Sequence, residues 1–307
     1  PIAALSRTGR RSSRCSQVSL KLHRPNCLAH ADGLVFISLV CPDGLIGSEY
    51  NRGGEDIVVC MSQSNEMHYL IQGHERKSFS AVGDLTAGHG KLYVCDSDMR
   101  RIYSFRVNDG KALASSPELY SHSLGPSRYV DRACATLAPD GSRLFVGHSG
   151  GVDIIDPSSL ERQGSFTFPE QWGPRPAFNP ATSMAVHAGH LIVSAHSNHA
   201  PCGSYAVFTL DGMFVSSLLE GPVKGRDMLW MAQRIVSAHG KLYAVEMPVL
   251  GHYADRLLSK DKAIAKEMAS HRIVTLLPDL ERRLMFRVQI LMADAMPANS
   301  HLTLPNP

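Results

Sequence analysis

Fifteen histidines in 307 residues are a dense supply of groups that bind metals or move protons near neutral pH. His148, His196 and His199 stand at the ends of short apolar runs, and Asp96 and Glu246 close two other such runs. Side chains placed alike in repeated units come to one face, where they could hold a divalent ion or work as an acid–base pair. A structural reading competes. Asp96 with Arg101, and Glu246 with Arg272, have the spacing of carboxylate–guanidinium bridges across a hairpin, which would occupy both acids, and this reading takes precedence. His196-x-x-His199-x-x-Cys202 has ligand types without a fourth ligand nearby, so zinc is not expected there. No nucleophile elbow, phosphate-binding loop, H-E-x-x-H or dinucleotide fingerprint occurs.

The elements that must position these residues follow from a repeat. A glycine turn precedes a short apolar strand five times: Asp32-Gly33-Leu34, His89-Gly90-Lys91-Leu92, Asp140-Gly141-Ser142-Arg143-Leu144, Ala188-Gly189-His190-Leu191 and His239-Gly240-Lys241-Leu242. The leucines are 58, 52, 47 and 51 residues apart. A second apolar strand follows in each unit (57–60, 102–105, 152–155, 205–208, 273–276), then a third, with another strand ahead of the glycine. Four short strands per roughly 50 residues is the signature of a propeller blade. Helical solenoids are excluded, because β-branched and aromatic residues recur at strand length without helical periodicity. The fold class expected is all-β: a single β-propeller of five or six four-stranded blades with one short helical insertion. Units fall near 27–80, 81–131, 132–178, 179–226 and 227–290, within a domain spanning 27–307. Gln289 to Pro307, with a possible strand at Val18 to Leu22, could form an incomplete sixth blade.

The run Lys91-Leu-Tyr-Val-Cys-Asp96-Ser-Asp-Met-Arg-Arg101-Ile-Tyr-Ser-Phe105, followed by Asn108-Asp109-Gly110, resembles an NHL-type repeat, with His271-Arg272-Ile273-Val274 echoing its second half. The resemblance implies a propeller and leaves its task open. Some propeller enzymes, lactonases and amidating lyases among them, hold a metal at the channel mouth.

Lettering the strands A to D from the centre outward puts the A–B and C–D turns on one face and the B–C and D–A loops on the other. The extra chain is nearly all on the second: 41–56 and 247–271 between B and C, and 114–133, 167–182 and 219–231 between D and A. Insertions concentrated on one face of a repeat array mark a binding face. The 247–271 insertion carries a helix expected from about Tyr253 to Ala269. The 167–182 loop, stiffened by four prolines, offers Phe168, Trp172 and Phe178. Ligand-binding candidates are therefore Trp172, His148, His196, His199 and Glu246, and His148, His196 and Glu246 are the candidates for a metal.

The first 31 residues carry six basic side chains and no acid, so residues 1–26 read as a basic Arg/Ser-rich leader. The rest is near −3, which disfavours nucleic acid as a partner. Seven cysteines without C-x-x-C read as reduced, mostly buried thiols. No apolar stretch approaches the roughly 20 residues of a membrane-spanning helix. The expected function is a soluble recognition platform, a monomeric domain or part of a larger protein, that binds a protein or small ligand across the long-loop face. The alternative is a metal-dependent hydrolase or lyase, lactonase-like or amidating-lyase-like, sited at the channel mouth. No cofactor is expected under the first reading, and zinc or calcium under the second. A cytoplasmic setting is favoured, with an organelle as the alternative that the leader suggests.

Overall fold

Two-residue turns that need positive φ at both positions are what join tightly paired antiparallel strands, because their twist matches that of the hairpin. Among the described residues three turns take that form: Asp32-Gly33 (φ 53 and 77), His89-Gly90 (51 and 72) and Ala188-Gly189 (47 and 75). Gly141 and Gly240 have φ of 70 and 69, so all five expected glycine turns are left-handed at the glycine. The computed structural model describes residues 24–40, 56–75, 77–119, 133–148, 151–169, 181–195, 204–217, 229–238, 240–249, 272–279 and 285–291.

These turns organise five four-stranded antiparallel sheets. The first contains β1 (Arg24–Ala31), β2 (Leu34–Val40), β3 (Ile57–Ser62) and β4 (Met67–Ile71). A two-stranded ribbon follows, β5 (Gly73–His74) with β6 (Lys77–Ser78). The second sheet contains β7 (Val82–Gly88), β8 (Lys91–Asp96), β9 (Arg101–Arg106) and β10 (Ala112–Ser115). The third is β11 (Cys134–Leu137), β12 (Leu144–His148), β13 (Gly151–Ile155) and β14 (Arg162–Thr167). The fourth is β15 (Ala181–His187), β16 (His190–Ala195), β17 (Ser204–Thr209) and β18 (Phe214–Ser217). The fifth is β19 (Leu229–Ala238), β20 (Lys241–Val249), β21 (Arg272–Asp279) and β22 (Met285–Leu291).

The first strands of successive sheets pack on one another, β1 on β7, β7 on β11, β11 on β15 and β15 on β19. Sheets standing side by side with their first strands innermost are a propeller arrangement. Apolar layers fill the spaces between them. Phe36, Val58 and Cys60 of the first sheet meet Leu92, Val94, Tyr103 and Phe105 of the second. Tyr93, Cys95 and Ile102 meet Leu144, Val146 and Ile155 of the third. Phe145 and Val152 meet Leu191, Val193 and Phe208 of the fourth, and Ile192, Tyr205 and Val207 meet Ile235, Leu242 and Ala244 of the fifth. Both faces of each inner sheet are thus buried, each large side chain contributing about 1.5–3 kcal/mol.

Three expectations shift. β1 begins at Arg24, so the first strand starts inside the span read as the leader. In the first unit the register aligns Val35, not Leu34, with Leu92, since the turn there ends one residue earlier. Gln289 lies in β22, paired with Thr275, and so belongs to the fifth sheet and not to a remainder beyond it. The helix expected at 253–269 and the strand at 18–22 fall outside the described residues, among which there is no helix.

Candidate functional site

Five innermost strands bring equivalent residues toward the axis: Cys27, Asp84, Cys134, Ser183 and Arg234. Four stand six residues before their turn glycine, and Cys134 seven before Gly141, whose turn is longer. In four of the strands a bulge sits immediately ahead of that residue, between Pro25/Cys27, Val82/Asp84, Ala181/Ser183 and Ala232/Arg234. A bulge re-aims a side chain, and side chains of this ring accept from backbone N–H groups on the innermost strands of neighbouring sheets. Asp84 Oδ2 accepts from Ala135 N of the next sheet at 3.0 Å, and Ser183 Oγ accepts from Ile235 N of its next sheet at 2.9 Å. Asp84 Oδ1 accepts from Leu85 N at 2.7 Å and from Arg234 Nη2.

The electrostatics of this centre are those of one desolvated ion pair. Burial works against the Arg234 charge, but the Asp84 carboxylate and its hydrogen bond outweigh it and raise the guanidinium above its ordinary value. Burial, then the Asp84 charge, pushes the Cys27 thiol up to about 12. The same two causes raise the thiols of Cys95 and Cys134. These are protonated, unreactive thiols. Asp84 has both oxygens engaged, so the centre is built to hold sheets together.

A second polar group lies nearer the long-loop side, between the second and third sheets. His148 ends β12, and Asp153 sits on β13 with its side chain only 2% exposed. Asp153 Oδ1 is 3.9 Å from His148 Nε2 and 3.7 Å from Arg162 Nη1, ion-pair distances longer than a hydrogen bond. Arg162 Nη1 also donates to the Leu119 carbonyl at 3.5 Å. Burial raises the Asp153 carboxyl, opposed by His148 and Arg162, and Oδ2 is buried without a hydrogen-bond partner. A carboxyl in that state can hold or release a proton near a histidine, which is the raw material of acid–base chemistry.

Of the sequence candidates, His148 is placed in this group. Glu246 lies on β20 in register with Ala232 and Arg272. The same register position is Asp96 opposite Val82 on β8 and Ala195 opposite Ala181 on β16, so unit four carries alanine there, one residue before His196. Trp172, His196 and His199 lie outside the described residues. Among the described residues no group of three or more His, Cys, Asp or Glu gathers as a metal would need. The Asp96–Arg101 bridge is corrected. The two are cross-strand partners in register, but Asp96 accepts backbone N–H bonds from Ser80 (2.8 Å), Ala81 (3.2 Å) and Met99 (3.1 Å), while Arg101 donates to the Ser116 carbonyl at 2.9 Å. A buried carboxylate beside three free amides is better satisfied by them than by a mobile guanidinium. Sequence reasoning missed Asp153 and the Asp84–Arg234 pair. The constant offset from the turn glycine was a signal for the latter.

No family model matches the chain, and no curated protein matches it. Among solved structures it is similar to hydrazine synthase of Kuenenia stuttgartiensis, with 12% identity and a TM-score of 0.56 over 92% of this chain and 69% of that one. A protein of unknown function from Bacteroides caccae matches with 13% identity and a TM-score of 0.50 over 77% of this chain and 75% of that one. BamB from Moraxella catarrhalis matches with 11% identity and a TM-score of 0.42, covering 73% of this chain and 61% of BamB. The chain spans 26% of the extracellular domain of a two-component system from B. thetaiotaomicron, less than two thirds of either of those last two relatives. At such identities the likeness to the first two structures is one of fold alone, and it agrees with the propeller arrangement built above.

Proposed function

We propose that this chain is a β-propeller recognition platform, of five or six blades and NHL-like in its second unit, that binds a protein or small ligand across the face carrying the long B–C and D–A loops. One observation carries the reading: on the opposite face, turns of the first four sheets are bonded to one another across three sheet junctions. His89 Nε2 donates to the Pro139 carbonyl at 3.0 Å, and Lys91 Nζ and Tyr93 OH both donate to the Pro157 carbonyl. Arg143 Nη1 donates to the Leu210 carbonyl at 2.8 Å and to Asp211 Oδ1 at 2.7 Å, and Tyr69 OH donates to the Val107 carbonyl. Polar groups spent on neighbouring turns are not available to a partner, whereas the other face has the length and the aromatic and histidine content to make one. Trp172, His148, His196, His199 and Glu246 are its expected contacts.

The second reading, a metal-dependent hydrolase or lyase at the channel mouth using zinc or calcium, draws on the raised Asp153 carboxyl beside His148. The experiment is chemical-shift mapping with a fragment set and a random peptide library. Shifts clustering on His148 and the long loops, reduced by Trp172→Ala in a chain that unfolds at the same urea concentration, are the expected result. Shifts clustering on Asp109, Asp140 and Asp211 overturn the platform reading. Stoichiometric zinc or calcium in the purified protein, lost in His148→Ala, would favour the enzyme.

A further inference from the structure

The five sheets repeat one unit, so a residue that breaks the repeat at a buried place calls for a reason of its own. Asp153 is such a residue. It lies opposite Val146, and the same register place is Val59 opposite Ile37, Tyr103 opposite Val94, Ala206 opposite Val193 and Val274 opposite Ala244. Arg162 breaks the repeat again. It lies opposite Ile155 on the outermost strand, where the other sheets have Met67 opposite Met61, Ala112 opposite Phe105, Phe214 opposite Phe208 and Val288 opposite Leu276. None of these counterparts is charged. The third sheet carries an acid and a base where uncharged side chains suffice in the other four.

A buried ion pair stabilises a fold only when its geometry is close and its remaining lone pairs are satisfied. This one meets neither condition. Asp153 Oδ1 is 3.7 Å from Arg162 Nη1 and 3.9 Å from His148 Nε2, and Oδ2, on a side chain 2% exposed, has no hydrogen-bond partner. An acceptor left in that state costs stability. Arg162 is 54% exposed, and its hydrogen bond to the Leu119 carbonyl, at 3.5 Å, is long. The pair therefore offers an unfilled acceptor and a loosely held donor side by side.

We propose that Asp153 and Arg162 form a subsite for a primary carboxamide, whose N–H donates to Asp153 Oδ2 and whose carbonyl accepts from the Arg162 guanidinium. The two charges cancel, so the pair has no net attraction for an anion or a cation, whereas a neutral group with donor and acceptor on neighbouring atoms satisfies both members. A trans peptide group does not qualify, because its N–H and C=O point opposite ways. That leaves the side chain of Asn or Gln in a protein partner, or a small primary amide. Arg162, on the outermost strand and the more exposed of the two, is the member that moves to admit it. The subsite rests on the long-loop reading, of which His148 is an expected contact.

Titration of the full chain with propionamide, propionate and propylammonium, followed by NMR at the Arg162 Nε–H and His148 ring signals, tests it. Propionamide is expected to shift both saturably and to bind about tenfold or more tighter than either charged probe. Acetyl-Ala-Gln-Ala-N-methylamide distinguishes the sources: tighter binding than propionamide assigns the group to a protein partner, weaker binding to a small amide. Asp153→Val/Arg162→Met, which installs the Val59 and Met67 of the first sheet, should fold and lose the His148 shift. If it fails to fold, Arg162→Ala, which matches Ala112 of the second sheet, takes its place. No saturable shift from either amide, equal binding of the three small probes, or binding that survives these substitutions overturns the proposal. Shifts from the peptide library that still fall on the long loops would then leave the platform standing, whereas shifts on Asp109, Asp140 and Asp211 would remove it.

Discussion

Asp84 on β7 and Arg234 on β19 form an ion pair although 150 residues separate them. The carboxylate side chain is 2% exposed and the guanidinium 28%, so each needs the other. Arg234→Met should cost about 3 kcal/mol, because it strands a buried charge, whereas Asp84→Leu combined with Arg234→Met should recover part of that loss. Urea unfolding of the single and double variants measures both. Additive losses would mean that the pair is not coupled.

Asp96 holds three backbone amides, and Arg101 one carbonyl. Asp96→Ala should therefore destabilise by about 2–4 kcal/mol and Arg101→Ala by about 1 kcal/mol or less. Equal losses, with strong coupling in the double variant, would restore the direct bridge.

The Asp153 carboxyl is raised by burial from its ordinary value of 3.8. A carboxyl with a higher pKa in the folded chain than in the unfolded one favours folding most below its ordinary value. That contribution declines as pH rises through the raised one. Asp153→Asn stays neutral throughout. Its stability relative to the unaltered chain should thus improve as pH rises from the ordinary value of 3.8 through the raised one. A difference that is flat with pH would mean that the carboxyl is not raised.

Ala188 and Gly189 make a turn with φ of 47 and 75, and a Cβ on Gly189 would meet nothing within 4 Å. Any penalty at Gly189 is therefore purely a backbone one. Gly189→Ala should cost about 1–2 kcal/mol, and Ala188→Gly should be neutral or stabilise by up to about 1 kcal/mol. Thermal unfolding checks the opposite signs.

The turns were legible in the sequence because glycine answers a local geometric demand that few other residues meet, and the strands because alternation marks a sheet buried on its faces. Relations between units were not. Asp96 reads as a partner for Arg101 from strand spacing alone, yet the amides of Ser80, Ala81 and Met99 reach it first, and only the folded backbone shows them there. Arg234 has no acid near it in sequence, and its partner is chosen by the packing of sheets around the axis. His148 was visible as a polar end to an apolar strand. Asp153 was not singled out, because Val152, Ile154 and Ile155 around it read only as an apolar strand.

The hydrogen bonds passed from sheet to sheet span short stretches of chain: Asn26 to Val82, Asp84 to Ala135 and Ser183 to Ile235 lie 56, 51 and 52 residues apart. At a synthesis rate of about 5–20 residues per second, each sheet waits only roughly 3–10 s for the one that caps it. The chain can thus assemble vectorially as it leaves the ribosome, each new sheet docking on a finished one. The first sheet has no earlier sheet to dock on, and Leu28 on its outer face is 59% exposed. That apolar face is where a nascent chain of this protein would most need a chaperone.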